Sequence, residues 1–253
     1  MLDNEYLDLG QKIMQEGERR MGRNGETVAL FGTTLTHDFG HGFPLLHCRK
    51  IYYKGIIGEF ISFLQDAKTV QEFEANGCNY WKLWAGDNGE LILDYAPRKQ
   101  LDYVIDLINN EPTSRRILID LWNPENRGKL SLDPCHTQYQ FFVRAETYLD
   151  MIWTQRSVDY AIGAPSDFVL AGLYVASIAH ECRLLPGKIT FNFGDTHVYK
   201  EHWEGFSQLV SKRYTDPPFC QYVLLDGIKS FNKDSITISN YKPDAAFKFV
   251  LKE

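Results

Sequence analysis

Asp133-Pro134-Cys135-His136-Thr137-Gln138-Tyr139-Gln140-Phe141-Phe142-Val143-Arg144 begins with a cysteine behind a proline and runs on into aromatic and β-branched residues. From Thr137 to Arg144 that composition predicts a strand. Tyr148 to Thr154 is apolar and β-leaning, and Lys188 to His197 reads as a strand leading into a loop. Between them, Asp167 to Cys182 is the longest apolar stretch and predicts a central helix. Working outward, apolar residues at helical spacing among charges predict a helix over 4–20, stopped by Arg23-Asn24-Gly25. Thr27 to Leu35 reads as strands with a turn at Gly32, Gly55 to Leu64 as an apolar helix, and Val70 to Trp84 as a helix or helix pair. Leu101 to Ile108 is a short helix, Arg116 to Leu121 a β-rich run, Glu201 to Lys212 a helix, and strand-like segments close the chain. Helices and strands intermingle without regular βαβ alternation. The expectation is an α+β fold with a mixed sheet flanked by helices, in one domain over 1–253.

The 253 residues are 44% hydrophobic and 24% charged, which is ordinary for a globular chain. A net charge of −6 argues against a general nucleic-acid binder but leaves room for a small anion held by a few arginines. No apolar signal core opens the sequence, and the best apolar run is too short for a bilayer, so a soluble cytoplasmic protein without membrane contact is expected. The five cysteines are widely spaced with no CxxC pair, which points to free thiols and to neither a zinc site nor a disulfide framework.

Several residues carry chemistry. A lone cysteine is usually a small buried hydrophobe, but Cys135 lies between Pro134 and His136 with arginines nearby in sequence, and a cationic setting activates a thiol. The zinc nucleobase deaminases also use Pro-Cys, as Pro-Cys-x-x-Cys with an upstream His-x-Glu. Here Gln138 stands three residues on and His-x-Glu is missing, so that reading fails. Arg115 and Arg116 after Ser114, Arg156 before Ser157, and the loop residue Arg23 are guanidinium forks suited to a phosphate. Each pair alone reads equally well as solvated charge. Glu59 lies inside Gly55-Ile56-Ile57-Gly58-Glu59-Phe60-Ile61. Burial there would raise its pKa and fit it for proton transfer. His197 and Tyr199, two apart on an extended segment, share a face and could hold a sugar hydroxyl.

Taken in order, these pieces resemble the thymidylate synthases and the related pyrimidine hydroxymethylases over nearly the whole chain. The resemblance rests on Tyr6-Leu7-Asp8-Leu9, Glu16-Gly17, Arg23-Asn24-Gly25, Phe43-Pro44-Leu45-Leu46 and Glu59. It continues through Trp81, Trp84, Asp87-Asn88-Gly89, Tyr95, Ser114-Arg115-Arg116 and Trp122-Asn123-Pro124. Pro134-Cys135-His136, Gln140, Arg156-Ser157, Asp159, Gly163, Pro165 and Asp195-x-His197-x-Tyr199 complete it. It implies a homodimer packed through its sheets, a pyrimidine nucleoside monophosphate as substrate, 5,10-methylenetetrahydrofolate as co-substrate and no metal. Cys135 would attack C6 of the base, which makes C5 nucleophilic toward the one-carbon unit. Glu59, Tyr95, His136 and Arg156 would assist. Arg23, Arg156, Ser157 and, across the dimer, Arg115 and Arg116 would hold phosphate. Gln140, Gln155, His197 and Tyr199 would bind the nucleotide. Trp81, Trp84, Asp159, Gly163 and Arg49 would meet the folate.

Two departures matter. Asp167 stands where thymidylate synthases keep an asparagine. An amide offers a donor and an acceptor, which suits uracil, whereas a carboxylate only accepts unless protonated, which suits the 4-amino group of cytosine. The tail Tyr241-Lys242-Pro243-Asp244-Ala245-Ala246-Phe247-Lys248 carries Asp244 in place of a histidine and ends in Lys252-Glu253. A charged end should close less dryly and admit water. His136, shared with thymidylate synthases, cuts slightly the other way. The expected activity is therefore dCMP hydroxymethylation, of the kind phages use for modified DNA precursors (in the host cytoplasm, if so). The rivals are a dCMP or CMP methyltransferase, a thymidylate synthase acting on dUMP, and a non-catalytic nucleotide-binding relative.

Overall fold

A computed structural model describes residues 1–215 and 219–251. The chain opens with α1 (Leu2–Glu16), whose buried residues Leu2, Tyr6, Gly10 and Ile13 form one helical stripe. The helix ends before Gly17 and the chain turns back as a strand, so the sequence expectation of helix to residue 20 is corrected. A Cβ on Gly17 would sit 2.4 Å from the Ile13 carbonyl oxygen, and only glycine permits so abrupt an exit. Strands β1 (Glu18–Gly22) and β2 (Gly25–Asp38) then pair antiparallel, which places Arg23 and Asn24 at a hairpin tip. Helices α2 (Tyr53–Gln65), α3 (Val70–Ala75) and α4 (Arg98–Asn110) follow, with a 3-10 turn over Trp81–Trp84. Next come β3 (Leu118–Asp120), β4 (His136–Arg144), β5 (Tyr148–Asp159), α5 (Gly163–Glu181), β6 (Leu185–Tyr199), α6 (Trp203–Val210) and the small hairpin of β7 (Gln221–Leu224) and β8 (Ile236–Ser239).

The main sheet runs β1-β2-β6-β5-β4-β3, antiparallel except for the parallel pair β5 and β6 that α5 connects. This is the mixed sheet expected from the irregular alternation of elements. Helix α5 is apolar all round, with 15 of its 19 residues buried, as a helix at the centre of a core must be. It begins at Gly163, so Asp167 lies inside the helix rather than at its start. No helix among the described residues is long and apolar enough to cross a membrane.

Gly32 is not a turn. It sits within β2 at φ +74°, where the ladder to β6 lapses between Phe31 and Thr33. The next ladder lapses at the same level, between Gln155 and Ser157 of β5, opposite Gly194. A Cβ on Gly194 would fall 2.5 Å from the Arg156 carbonyl oxygen. Across this kink the inside–outside alternation changes phase. Residues four apart share a face in a regular strand, yet Leu35 is 4% exposed and Phe31 83%. On β6, Phe191 and Phe193 are buried before the kink, and Thr196 and Val198 after it.

Candidate active site

A cleft of about 500 Å³ lies at one end of the sheet. The hairpin tip brings Arg23, β5 brings Gln155 to Asp159, α5 brings Gly163, Ser166 and Asp167, and β6 brings His197 and Tyr199. Cys135 and His136 come from the start of β4, Glu59 from α2, and Trp81 and Trp84 from the 3-10 turn.

Cys135 is half-buried and its backbone N–H donates to the Tyr95 hydroxyl at 2.9 Å. Burial pushes the Cys135 thiol above its ordinary value, and the nearby Asp167 adds to this, while the Arg156 charge and the Tyr95 hydroxyl pull it down. Arg156 thus favours the thiolate, as expected, against the burial of the thiol. The guanidinium spends its Nε and Nη2 hydrogens on the Pro134 and Asp133 carbonyls, both at 2.9 Å, and rests on the Trp122 ring. Arg156 therefore shapes the cysteine loop as well as charging the cleft.

Glu59 is 9% exposed, and burial pushes its carboxyl up to about 7 although Trp81 Nε1 donates to Oε1 at 2.8 Å and the Tyr80 hydroxyl donates to Oε2 at 2.9 Å. Desolvation outweighs two good donors, leaving an acid able to give or take a proton near neutrality. Asp167, 8% exposed, has both oxygens engaged: Gln155 Nε2 donates to Oδ2 at 2.8 Å, and His136 Nε2 lies 3.0 Å from Oδ1. Asp159 accepts the Ala161 and Ile162 N–H groups at 2.9 and 3.1 Å ahead of α5, and burial raises its pKa. His197 Nδ1 is fixed 2.8 Å from Asp195 Oδ1, and its ring meets Tyr199 edge-on at 5.1 Å.

The sequence profile described as thymidylate synthase matches residues 4–252. This chain belongs to the thymidylate synthase family. A thymidylate synthase of Corynebacterium aurimucosum is 29% identical over 261 aligned residues, covering 98% of this chain and 97% of that one. Enzymes of the thymidylate synthase family transfer a folate-borne one-carbon unit to C5 of a pyrimidine monophosphate, use methylenetetrahydrofolate as co-substrate and typically act as homodimers.

Arg49 and Gln140, which the resemblance placed in this chain's own site, lie outside the cleft, as do Arg115 and Arg116, which it set across the dimer. Arg49 is 8% exposed; its Nη1 donates to the Ala161 carbonyl and its guanidinium lies 4.9 Å over the Phe249 ring, so it sits beneath the tail, behind the cleft lining. Gln140 lies on β4 between Leu118 and Ile152, on the alternation of exposed Phe142. Arg115 and Arg116 are exposed ahead of β3.

The tail also departs from expectation. Asp244 does not loosen it: Lys212 Nζ and the Tyr214 hydroxyl donate to its Oδ2 at 2.6 and 2.5 Å, and its N–H donates to the His47 carbonyl at 2.8 Å. His202 Nε2 lies 2.9 Å from the Val250 carbonyl oxygen, and Phe249 and Leu251 line the cleft. Lys252 and Glu253, the charged end, lie outside the described residues. Sequence reasoning missed Phe249 and Leu251, although the alternation Phe247, Phe249, Leu251 was a readable signal. Nothing in the sequence flagged Tyr80.

Proposed function

We propose that this enzyme transfers a one-carbon unit to C5 of dCMP and releases 5-hydroxymethyl-dCMP, with Cys135 as nucleophile. The observation that carries the choice of base is Asp167. Its carboxylate forms the cleft wall, and both of its neighbours, Gln155 and His136, are placed to donate to it. Its remaining lone pairs accept from a 4-amino group and confront the 4-oxo group of uracil with a second acceptor. The Cys135 sulfur adds to C6 as its thiolate, and the C5=C6 electron pair forms the new bond from C5 to the one-carbon unit. Loss of the C5 proton and, once water has added to the exocyclic carbon, expulsion of the thiolate restore the C5=C6 bond and free the product.

The residues present fit a folate. Trp81, Trp84, Ile162, Phe249 and Leu251 offer an apolar slot beside the base site, and the buried Trp84 Nε1 has no hydrogen-bond partner among the described residues. Asp159 and Gly163 border that slot. Bound there, methylenetetrahydrofolate supplies the one-carbon unit. Glu59, held at the slot wall by Trp81 and Tyr80, takes the proton from the water that ends as the product hydroxyl. Arg23, Arg156 and Ser157 hold the phosphate, and His197 and Tyr199 the sugar. Arg115 and Arg116, exposed on one subunit, reach the phosphate site of the other. The outer sheet face with Phe31, Phe142, Ile152 and Leu185, each 39% exposed or more, supports pairing through the sheet.

A second reading has its own observation. Phe249 and Leu251 line the cleft, and an apolar cover keeps water out, which favours hydride transfer and a methyl product. Mass spectrometry of the products from dCMP, CMP and dUMP with methylenetetrahydrofolate tests both readings. Addition of hydroxymethyl to dCMP is expected. Addition of methyl, with dihydrofolate formed in step, makes the enzyme a methyltransferase, and a preference for dUMP overturns the reading of Asp167.

A further inference from the structure

Behind Asp167 two hydrogen-bonded arms end in aromatic residues that never touch the cleft. One arm runs through Trp153. The indole Nε1–H can only donate, and it donates to Gln155 Oε1 at 2.9 Å. The amide oxygen of Gln155 is thereby occupied, so its NH₂ faces Asp167 Oδ2 at 2.8 Å. The orientation of this amide, which an isolated glutamine leaves open, is fixed by its neighbour. Trp153 and Gln155 are two apart on β5, hence on one face.

The other arm runs through Tyr139. Its hydroxyl lies 3.0 Å from His136 Nδ1, and His136 Nε2 lies 3.0 Å from Asp167 Oδ1. His136 and Tyr139 are three apart and would face opposite ways in a regular strand. The register shift between His136 and Gln138 turns them to the same side. Burial holds the Tyr139 phenol well above its ordinary value, so it keeps its hydrogen. Given to Nδ1, that hydrogen leaves the histidine proton on Nε2, facing the carboxylate.

The two ends form one rigid unit. Tyr139 and Trp153 are directly paired across β4 and β5, their rings stack at 4.2 Å and 17°, and they are 1% and 0% exposed. We infer that Tyr139 and Trp153 are positioning residues for base selection: they direct every hydrogen of both arms toward Asp167 and hold its carboxylate as a pure acceptor for the 4-amino group of the pyrimidine. The inference rests on the dCMP reading given above. Packing alone would also bury two rings, but it would not require a donor at the end of each arm.

The test compares kcat/KM for dCMP and dUMP in wild type, Tyr139→Phe and Trp153→Phe. Each change removes one donor and retains a ring. Without it Gln155 can turn its amide, or His136 can move its proton to Nδ1, and Asp167 no longer faces donors alone. The dCMP-to-dUMP preference is expected to fall about ten-fold in each variant. An equal loss for both substrates, or an unchanged ratio, means the rings only pack and overturns the inference. A wild type that prefers dUMP instead overturns the reading of Asp167 itself, which separates the two failures. If the variants do not fold, ¹⁵N NMR of histidine-labelled wild type decides. The Nε2–H tautomer is expected for His136, assigned by loss of its signal in His136→Asn, and the Nδ1–H tautomer overturns the inference.

Discussion

The corner around Asp167 and the rim around Arg23 and Arg156 sit in the same cleft but are built on opposite principles. In the corner, Asp167, His136 and Gln155 are 8% exposed or less and their polar atoms are paired within the chain. At the rim, Arg23 donates to its neighbour Asn24 (3.0 Å), and Arg156 grips backbone carbonyls. An unpaired polar group in a dry place costs far more than one facing water. The corner must therefore be complete before the substrate arrives. The rim faces water and carries no such requirement, which leaves room for the proposed phosphate and for the arginines proposed to come from a second chain.

The largest effect expected bears on what both regions serve. Cys135→Ser should lower turnover by at least ~10³-fold while dCMP still binds, because neither the rim nor the corner depends on the sulfur. Turnover measured beside calorimetric binding checks this, and near-normal turnover would end the covalent mechanism. Glu59→Gln should follow, with a loss of about 10²–10⁴-fold. Glu59 must be ionised to take a proton from water, so the wild-type rate should rise with pH through about 7. In the variant that limb should vanish. Stability should run the other way. Between 4.5 and about 7 the unfolded carboxyl is ionised while the folded one still holds its proton. Wild-type stability therefore falls with rising pH over that window, by roughly 3 kcal/mol in all. Thermal melts at pH 5 and pH 8 should show this slope in wild type and its absence in Glu59→Gln.

The incomplete rim gives the next test. An Arg116→Ala chain mixed with a Cys135→Ser chain should regain about a quarter of wild-type activity, since half the dimers are mixed and each has one unaltered site. No recovery despite proven subunit exchange would mean that the rim is complete within one chain. The corner predicts a change of choice more than a loss of rate. Asp167→Asn should move preference from dCMP toward dUMP by about ten- to a hundred-fold, read from competing substrates. The smallest effect belongs to the tail. Asp244 is 43% exposed and Lys212 32%, so the pair adds below about 1 kcal/mol to stability. Asp244→Ala should raise KM for the folate more than KM for dCMP; equal KM values for the folate in both proteins would mean that the tail is held by Phe249 alone.

Much of this was legible in the chain. The apolar stretch after Asp167 specified the central helix, the aromatic runs specified β4 and β5, and the irregular order of elements specified a mixed sheet, because burial periodicity is written locally. Cys135, Glu59 and Arg156 were identifiable as residue types with neighbours that suit chemistry, Asp167 only through the resemblance, and the cleft gathers them. Other features depended on contacts far apart in sequence. The strand phase changes at Gly32 because the pairing with β6 lapses there, and one glycine alone reads equally well as a turn. Arg49, which the resemblance set toward the folate, lies over the ring of Phe249, two hundred residues away. Asp244 read as a charge that would loosen the tail until Lys212 and Tyr214 met it. Sequence by itself determined which groups could do the chemistry, since composition and spacing fix what a side chain can donate, accept or attack. Only the tertiary structure decided which way each hydrogen bond at Asp167 points, because that direction is set by partners on two strands, β4 and β5, that meet the helix carrying Asp167, and no local pattern encodes it.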